Sequence, residues 1–267
     1  MARHGIRAAL AGAALTLVLG QPAIAAVADC LAMAEAPALV RPAAYRPAAL
    51  EEGQVQLTFV GHSTFIIESP GGVKIATDYA GYAGGIVPDV ATMNRAHRSH
   101  FTDFPDPGIK HVLRGWNPEG GPAKHDLSVG DVRIRNVTTD IRGGYAGRIP
   151  DGNSIFIFEI AGLCIGHLGH LHHELTPEHV GMIGRLDVVL VPVDGGYTMG
   201  QVYMLNVLKE LKARIVIPMH YFGPSTLSRF VAGARDSFDV EFSTTPVTIV
   251  SATTLPERAK LIVLPGS

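Results

Sequence analysis

Short apolar runs separated by turn residues dominate the chain from residue 54 onward. Residues 55–60, 64–68 and 73–77 are rich in β-prone side chains, and glycine-containing turns lie between them. This pattern predicts a meander of antiparallel strands. Ala161-Gly162 separates two more such runs and predicts a tight hairpin. The further strands predicted in this half of the chain are 110–113, 131–137, 154–160 and 163–167.

The second half of the chain alternates between strand-like runs and segments with helical spacing. Thr176-Pro177-Glu178 predicts a helix start, with Thr176 as N-cap and Pro177 at the first helical position. A strand-rich first half followed by this alternation predicts two sheets flanked by helices. The predicted elements are strands at 188–191 and 215–217, helices at 198–212 and near 225–234, and two or three terminal strands.

The first 28 residues have a different pattern from the rest of the chain. Arg3 and Arg7 precede an apolar run at 8–19, and small residues at Ala25 and Ala28 follow a helix-breaking segment. This order is typical of a secretory signal peptide. A membrane anchor is the alternative, but the run is shorter than the ~20 residues that span a bilayer. We therefore predict a signal peptide at 1–28, an irregular arm at 29–53, one domain at 54–267, and a periplasmic or secreted location.

Composition and charge narrow the classes of partner. The chain has 267 residues, 47% of them hydrophobic, which is enough for a sizeable core in one domain. Its net charge of −2 and the lack of a basic run argue against nucleic acid as a partner. We expect a small-molecule substrate and no membrane contact after signal cleavage, and we leave the oligomeric state open.

The two cysteines limit the kinds of metal site that the chain can form. Cys30 and Cys164 could pair in an oxidising compartment. Cys164 lies in an apolar stretch, however, and we expect it to be a buried structural thiol. A cysteine-rich zinc site is excluded, so any metal must be held by histidine and aspartate.

Histidines cluster directly after predicted strands and apolar runs. Strand ends are where α/β sheets present functional groups, and neutral imidazole is the commonest metal ligand. We therefore predict a metal site from three segments, which carry His97 and His100, the cluster His167, His170, His172 and His173, and His220. The histidines that we expect to be structural are His4, His111, His125 and His179.

A series of short motifs resembles one known family. The motifs are, in order, Phe59-Val60-Gly61-His62-Ser63, Ile75-Ala76-Thr77-Asp78, the His97/His100 pair, Gly152-Asn153-Ser154, Gly169-His170, Asp194-Gly195-Gly196 and Pro218-Met219-His220-Tyr221. Together they resemble the metallo-β-lactamase superfamily, in particular the branch of predicted zinc-dependent hydrolases similar to L-ascorbate-6-phosphate lactonase. The resemblance implies an α/β (α+β) fold, a four-layer αβ/βα sandwich with the metal site at one edge of its two sheets.

The family signature H-x-H-x-D-H can be placed on this sequence in two ways. Without gaps it falls on Arg95, His97, Ser99 and His100. With small insertions it falls on His97, His100, Asp103 and Phe104. We prefer the second placement because it keeps a carboxylate in the ligand set. Both placements keep His97 and His100.

The resemblance also suggests roles for residues outside this signature. Asp140 stands where the family has a histidine ligand, and His170 stands where it has a bridging aspartate. The implied metal ligands are therefore His97, His100, Asp103, Asp140, His170 and His220. The residues expected to support them are His62, Asp78 and His167. Asp103 or Asp140 could also take a proton, and Tyr197 and Tyr221 could line a substrate cleft.

These features together predict a metal-dependent hydrolase of a small ester, lactone or phosphoester that uses a metal-bound water. Zinc lowers the pKa of its water to about 7 and polarises carbonyl or phosphoryl oxygens. We expect one or two Zn²⁺ ions, with Mn²⁺ or Fe also possible. Because the imidazole of His170 replaces a bridging carboxylate, a tight dinuclear site is less favoured. The alternative is a non-catalytic periplasmic metal- or ligand-binding relative with the same fold.

Overall fold

The computed structural model describes residues 50–144 and 147–266, together with Met1. The rest of the predicted signal peptide, most of the predicted arm at 29–53, Cys30 and Tyr145 lie outside the described residues. Within those residues, no helix is both long enough and apolar enough to cross a membrane.

The first sheet confirms the predicted meander. Its strands are β1 (Gln54–Gly61), β2 (Thr64–Glu68), β3 (Lys74–Ala76), β4 (Val90–Met93), β5 (His111–Arg114) and β13 (Val247–Ser251). They lie in the order β13-β1-β2-β3-β4-β5. The first three strands of the chain pair antiparallel, whereas β3, β4 and β5 pair parallel.

The second sheet contains eight strands of the described chain. They are β6 (Asp126–Val129), β7 (Val132–Arg142), β8 (Arg148–Ile160), β9 (Leu163–His167), β10 (Val188–Pro192), β11 (Ile215–Met219), β12 (Asp239–Phe242) and β14 (Lys260–Val263). Their order is β12-β14-β11-β10-β9-β8-β7-β6. The pairs β9–β10 and β10–β11 are parallel, so the carboxyl ends of these three strands lie at one edge of the sheet.

Three helices pack on the outer face of the eight-stranded sheet in the described chain. They are α1 (Pro177–Ile183), α2 (Gln201–Leu211) and α3 (Pro224–Ala234). The predicted start of α1 is confirmed, because the Thr176 side chain accepts a hydrogen bond from the backbone N–H of His179. Apolar side chains of all three helices, such as Ile183, Met204 and Phe230, are buried against the sheet.

Two layers of apolar side chains hold the sheets in place. The inner faces of both sheets bury one continuous core, which includes Phe65, Phe156 and Ile217. This confirms the predicted α/β class with two stacked sheets. The outer face of the six-stranded sheet differs from its counterpart, because loop residues such as Tyr79 and Ile109 cover it in the described chain.

The hairpin between β7 and β8 is longer than the sequence indicates. The strands pair as far as Arg142 and Arg148. Their register shifts at a bulge near Asp140, opposite the turn-like residues that precede Asn153. The predicted hairpin at Ala161-Gly162 is confirmed, since both residues have the positive φ angles, 52° and 77°, that a two-residue turn of this hand requires.

Cys164 corrects an expectation from the sequence. The residue is buried in β9 as expected, but it takes part in a disulfide bond. The expectation of a structural thiol is therefore wrong. A buried apolar position suits a disulfide as well as a thiol, so the local pattern around Cys164 could not distinguish the two states.

The strand ends bring the functional segments to one edge of the sandwich. His62 directly follows β1, and His220 directly follows β11 in the other sheet. The backbone N–H of His220 donates a hydrogen bond of 2.6 Å to the carbonyl oxygen of His62. The two sheets therefore meet at this point, and side chains from both can approach each other.

Candidate metal centre

Three histidines converge at the edge where the sheets meet. His62 follows β1, His100 follows β4 after a short loop, and His220 follows β11. Each offers a ring nitrogen, and these nitrogens lie within 4.8 Å of one another. The Nε2 atoms of His100 and His220 are 3.1 Å apart, and both side chains are buried. Nitrogens at this spacing could share one cation.

Buried carboxylates brace two of these imidazoles. Asp78 Oδ2 lies 2.5 Å from His100 Nδ1, and Asp194 Oδ1 lies 3.0 Å from His220 Nδ1. A carboxylate at Nδ1 holds the ring proton there and leaves the lone pair of Nε2 free to coordinate a metal. Asp78 therefore orients His100 by a hydrogen bond, whereas Asp194 acts on His220 through its charge, because the angle at His220 Nδ1 does not form a hydrogen bond.

Each bracing carboxylate is kept ionised by its own partners. Burial alone would raise the pKa of Asp78, but His167 and His100 and the Asn94 amide outweigh it and lower that pKa. Burial also opposes ionisation of Asp194, yet the nearby His220 imidazole and hydrogen bonds from Thr198 and the Gly196 amide lower its pKa. Both side chains therefore present negative charge to the back of a ligand.

His62 is the one partly buried member of the trio. Burial, followed by the charges of His220 and His100, lowers its pKa to about 4, so its ring is neutral at pH 7. Its Nε2 is buried and has no hydrogen-bond partner in the described residues. Neutral imidazole with a free nitrogen is the form that binds a metal.

The backbone is strained at this site. His62, Asp78 and His220 have φ angles of 51°, 43° and 53°, in the left-handed region that residues with a Cβ rarely adopt. Such conformations cost free energy and concentrate at functional sites. Here the strain falls on two of the converging histidines and on a bracing carboxylate.

His170 approaches the trio without joining it. Its ring centroid is 4.9 Å from that of His100 and 4.8 Å from that of His220. Its Nε2 is buried and has no partner in the described residues, while its Nδ1 lies 2.5 Å from His172 Nε2. Burial, followed by the neighbouring histidines, lowers the pKa of His170 and keeps the ring neutral.

The donor set fits a divalent transition metal. Three imidazoles from two sheets, two of them with a carboxylate near Nδ1, match the ligand chemistry that zinc and similar ions prefer. The unpartnered Nε2 of His62 supports the same conclusion, because a buried polar atom without a partner is costly unless a ligand satisfies it.

The structure does not bring the predicted aspartate ligands to this trio. Asp103 is exposed and forms an ion pair with Arg98 at 3.0 Å. Asp140 forms an ion pair with Arg148 and accepts a hydrogen bond from the Asp151 amide at 2.9 Å. Both carboxylates are therefore occupied by neighbours on the surface.

Two predicted histidines lie beside the trio. His97 is exposed at the rim, with its ring 4.8 Å from that of His170, and burial is the first cause that lowers its pKa. His167 is fully buried, and its Nε2 lies 2.9 Å from the Ser63 carbonyl oxygen. Since the Gly169 amide donates to its Nδ1, both nitrogens of His167 are used within the protein.

Aromatic side chains form an exposed rim above the histidines. Tyr197 packs edge-on against His97 at 5.6 Å and against Phe222 at 5.3 Å. The ring of Phe222, 62% exposed, is 5.4 Å from that of His220. Tyr221 instead points into the protein, where its hydroxyl donates to the Leu264 carbonyl oxygen at 3.4 Å. Tyr197 is therefore placed at the rim as expected, with Phe222 in place of Tyr221.

A cleft of about 350 Å³ opens next to this site. His172 lines the cleft and also contacts His170, so it separates the cleft from the trio. The other lining residues include Asp140, Arg142, Arg148, His173 and His179. The cleft therefore adjoins the histidine trio without including any of its three side chains.

Comparison with known proteins identifies the family. The family model of the beta-lactamase superfamily domain matches residues 56–220, more than half of the chain. The chain belongs to the metallo-β-lactamase superfamily. A UPF0173 metal-dependent hydrolase of Salinibacter ruber is 25% identical over 218 residues, which cover 69% of this chain and 92% of the relative. A UPF0173 metal-dependent hydrolase of Myxococcus xanthus is 27% identical over 209 residues, which cover 66% of this chain and 73% of the relative.

Solved structures of the metallo-β-lactamase superfamily share this fold. A protein of Thermotoga maritima, assigned there as a Zn-dependent hydrolase, has a TM-score of 0.59 and 28% sequence identity. The match covers 80% of this chain and 100% of the other. A metallo hydrolase of Ignicoccus hospitalis has a TM-score of 0.53 at 20% identity, covering 80% of this chain and 97% of the other, and supports the fold.

The superfamily signature can now be placed on the structure. His100, which both placements keep, lies in the trio, whereas Asp103, which only the gapped placement uses, lies outside it. In the ungapped placement, Arg95 and Ser99 stand at the first histidine and the aspartate of the signature. The third imidazole of the trio belongs to His62, which lies outside this signature.

Sequence reasoning missed three contributors to the site. Asp194 braces His220, His172 contacts His170, and Phe222 forms part of the rim. An aspartate two residues after the end of the buried strand β10, followed by two glycines, was a signal for Asp194. His172 lies in the histidine cluster that follows β9 but was given no role, and Phe222 had no comparable signal.

Proposed function

We propose that this protein is a metal-dependent hydrolase that acts on a small ester, lactone or phosphoester. The observation that carries the proposal is the trio His62, His100 and His220, whose ring nitrogens lie within 4.8 Å of one another. Relatives described as metal-dependent hydrolases support the same reaction class. Zn²⁺ is the metal that we propose, because its preferred ligands include neutral imidazole.

The protein's own residues prepare the site for this chemistry. Bound metal would lower the pKa of a water and polarise a carbonyl or phosphoryl oxygen of the substrate. Asp78 and Asp194 hold His100 and His220 in the tautomer that coordinates through Nε2. The strained backbone at His62 and His220 keeps both rings aimed at one point before substrate arrives.

The rim and the cleft support a small substrate with an apolar or flat portion. Tyr197 and Phe222 are 59% and 62% exposed and stand beside the histidines, where they could contact such a group and exclude water. The adjoining cleft is lined by Arg142 and Arg148, whose guanidinium groups already pair with loop carbonyl oxygens and with Asp140, respectively. Neither Asp103 nor Asp140 contacts the trio, so this proposal assigns them no proton transfer.

Metal content and hydrolysis test the proposal together. Purified protein should contain a divalent metal, and His220→Ala and His62→Ala should lose both the metal and the activity. The activity panel would contain p-nitrophenyl acetate, γ-butyrolactone and bis(p-nitrophenyl) phosphate. His111→Ala is the matched control, because His111 lies on β5 outside the trio and its loss should change neither readout.

Two results would contradict the hydrolase. Wild-type protein that binds no zinc, manganese or iron would remove the basis of the proposal. Metal binding by the trio without turnover of any ester, lactone or phosphodiester would favour the non-catalytic relative instead. Export to the periplasm or outside the cell remains part of the proposal, supported by the pattern of residues 1–28.

A further inference from the structure

The hydrogen bonds around His172 fix the position of its proton. The backbone N–H and the side-chain Nε–H of Arg142 both approach His172 Nδ1, each at 3.1 Å. Neither group of Arg142 can accept a hydrogen bond. His172 Nδ1 must therefore be the acceptor and carries no proton, so the proton of this ring lies on Nε2.

This assignment passes on to His170. His172 Nε2 lies 2.5 Å from His170 Nδ1, and a protonated Nε2 can only donate across that contact. His170 Nδ1 is therefore an acceptor without a proton. Because a neutral imidazole keeps one proton, His170 carries it on Nε2, the nitrogen that is buried and has no partner in the described residues.

His170 is thus prepared in the opposite way to the proposed ligands. His100 and His220 each have a carboxylate at Nδ1, which draws the proton there and frees Nε2 as a lone pair. His170 has a hydrogen-bond donor at Nδ1, which places an N–H at Nε2 instead. An N–H group cannot coordinate a cation.

We propose that His170 is a hydrogen-bond donor to substrate and is not a metal ligand. Its ring lies within 4.9 Å of His100 and of His220, close enough for Nε2–H to meet an oxygen of a molecule held at the trio. The donor stabilises the negative charge that develops on a carbonyl or phosphoryl oxygen as water attacks. His172 and Arg142 are positioning residues that set the tautomer.

The role of His170 as a donor to substrate rests on the proposed function. The tautomer of His170 can be measured whether or not the protein is a hydrolase. Protein labelled with ¹⁵N-histidine would be studied by two-bond ¹H–¹⁵N correlation spectra, first metal-free and then with Zn²⁺ added. We expect His170 to show protonated Nε2 and bare Nδ1 in both states. A proton on Nδ1 in either state would overturn the proposal.

Variants of His172 test the positioning role. His172→Leu removes the donor to His170 Nδ1, so the His170 spectrum should lose its single-tautomer pattern. His172→Gln retains an amide N–H and should restore that pattern. His173→Leu is the matched control, because the Nε2 of His173 accepts from the Asp140 amide and does not contact His170. An unchanged His170 pattern in His172→Leu would contradict the relay through His172.

Zinc affinity separates a donor from a ligand. His170→Gln should bind Zn²⁺ within about 10-fold of wild type in chelator competition, below the 10–100-fold losses typical even of ligand-supporting residues. A loss of about 10-fold or more would overturn the donor role, with His220→Ala as the reference for a lost ligand. If wild-type protein binds no Zn²⁺, the proposed function fails, and the metal-free spectra still decide the tautomer of His170.

Discussion

Asp194→Asn is the sharpest test of how the site is built. Asp194 Oδ2 accepts from the backbone amides of Gly196 and Tyr197 at 2.8 and 2.5 Å, and Oδ1 faces both His220 Nδ1 and the Thr198 hydroxyl. Asparagine must put its NH₂ group on one of these two sides. In either orientation an N–H opposes groups that now donate.

The expected effect follows from each orientation. If the NH₂ group faces the backbone amides of Gly196 and Tyr197, buried donors face each other, which costs about 1–3 kcal/mol of folding free energy. At roughly 2–4 °C per kcal/mol, this lowers the Tm by roughly 2–12 °C. An NH₂ toward His220 moves the ring proton to Nε2 and removes a ligand lone pair. We expect zinc affinity to fall by about 10–100-fold, which corresponds to about 1.4–2.8 kcal/mol.

Two assays would measure these effects. Thermal unfolding of metal-free protein reports the first, and competition with a zinc chelator reports the second. Asp103→Asn is the matched control: Asp103 is exposed and pairs with Arg98, so neither quantity should change. Zinc affinity equal to wild type in Asp194→Asn would refute the bracing role of Asp194, and a loss in Asp103→Asn would return Asp103 to the ligand set.

Three further predictions follow from the same contacts. Because burial lowers the folded pKa of His62 to about 4 and that of an unfolded histidine is about 6.5, the unfolded state binds more protons between these values. Metal-free stability should therefore rise with pH from about 4 to 6.5, and thermal unfolding of His62→Gln should show a shallower rise; an equal slope would argue against this histidine as the cause. His170→Asp restores the carboxylate of the superfamily and should raise the zinc stoichiometry measured by elemental analysis, whereas an unchanged ratio would mean that other lost ligands are limiting. Arg142→Leu removes the side-chain donor to the carbonyl oxygens of Gly196, Tyr197 and Thr198 and should speed amide hydrogen exchange in that loop, while wild-type protection would show that Asp194 alone holds it.

Much of the fold could be predicted because local pattern and tertiary structure agree. The meander from β1 to β3, the hairpin at Ala161-Gly162 and the capped start of α1 each follow from residue type at a fixed spacing. Strand β4 was missed because its four residues are all buried, so it lacks the alternation that marks an exposed strand. The first part of β8 was missed because Pro150 and Gly152 are typical of a turn.

The site was less predictable, because its geometry depends on contacts between distant segments. His100, His170 and His220 were placed near one another by the rule that strand ends share an edge. We preferred the gapped placement because it kept the carboxylate of Asp103 as a ligand. In the structure that carboxylate instead pairs with Arg98, five residues earlier. His62 was expected only to support the ligands, since a single histidine after a first strand shows no partner in the sequence.

The backbone hydrogen bond from His220 to His62 joins the two sheets of the sandwich. Two of the three imidazoles come from the six-stranded sheet and one from the eight-stranded sheet, so a shared cation would act as a cross-link between them. Ligand binding to the folded state alone adds about 2.7 kcal/mol at a concentration of 100 Kd. The ion proposed for catalysis would then also stabilise the contact between the two sheets. A chelator would therefore lower the free energy of unfolding as well as the activity.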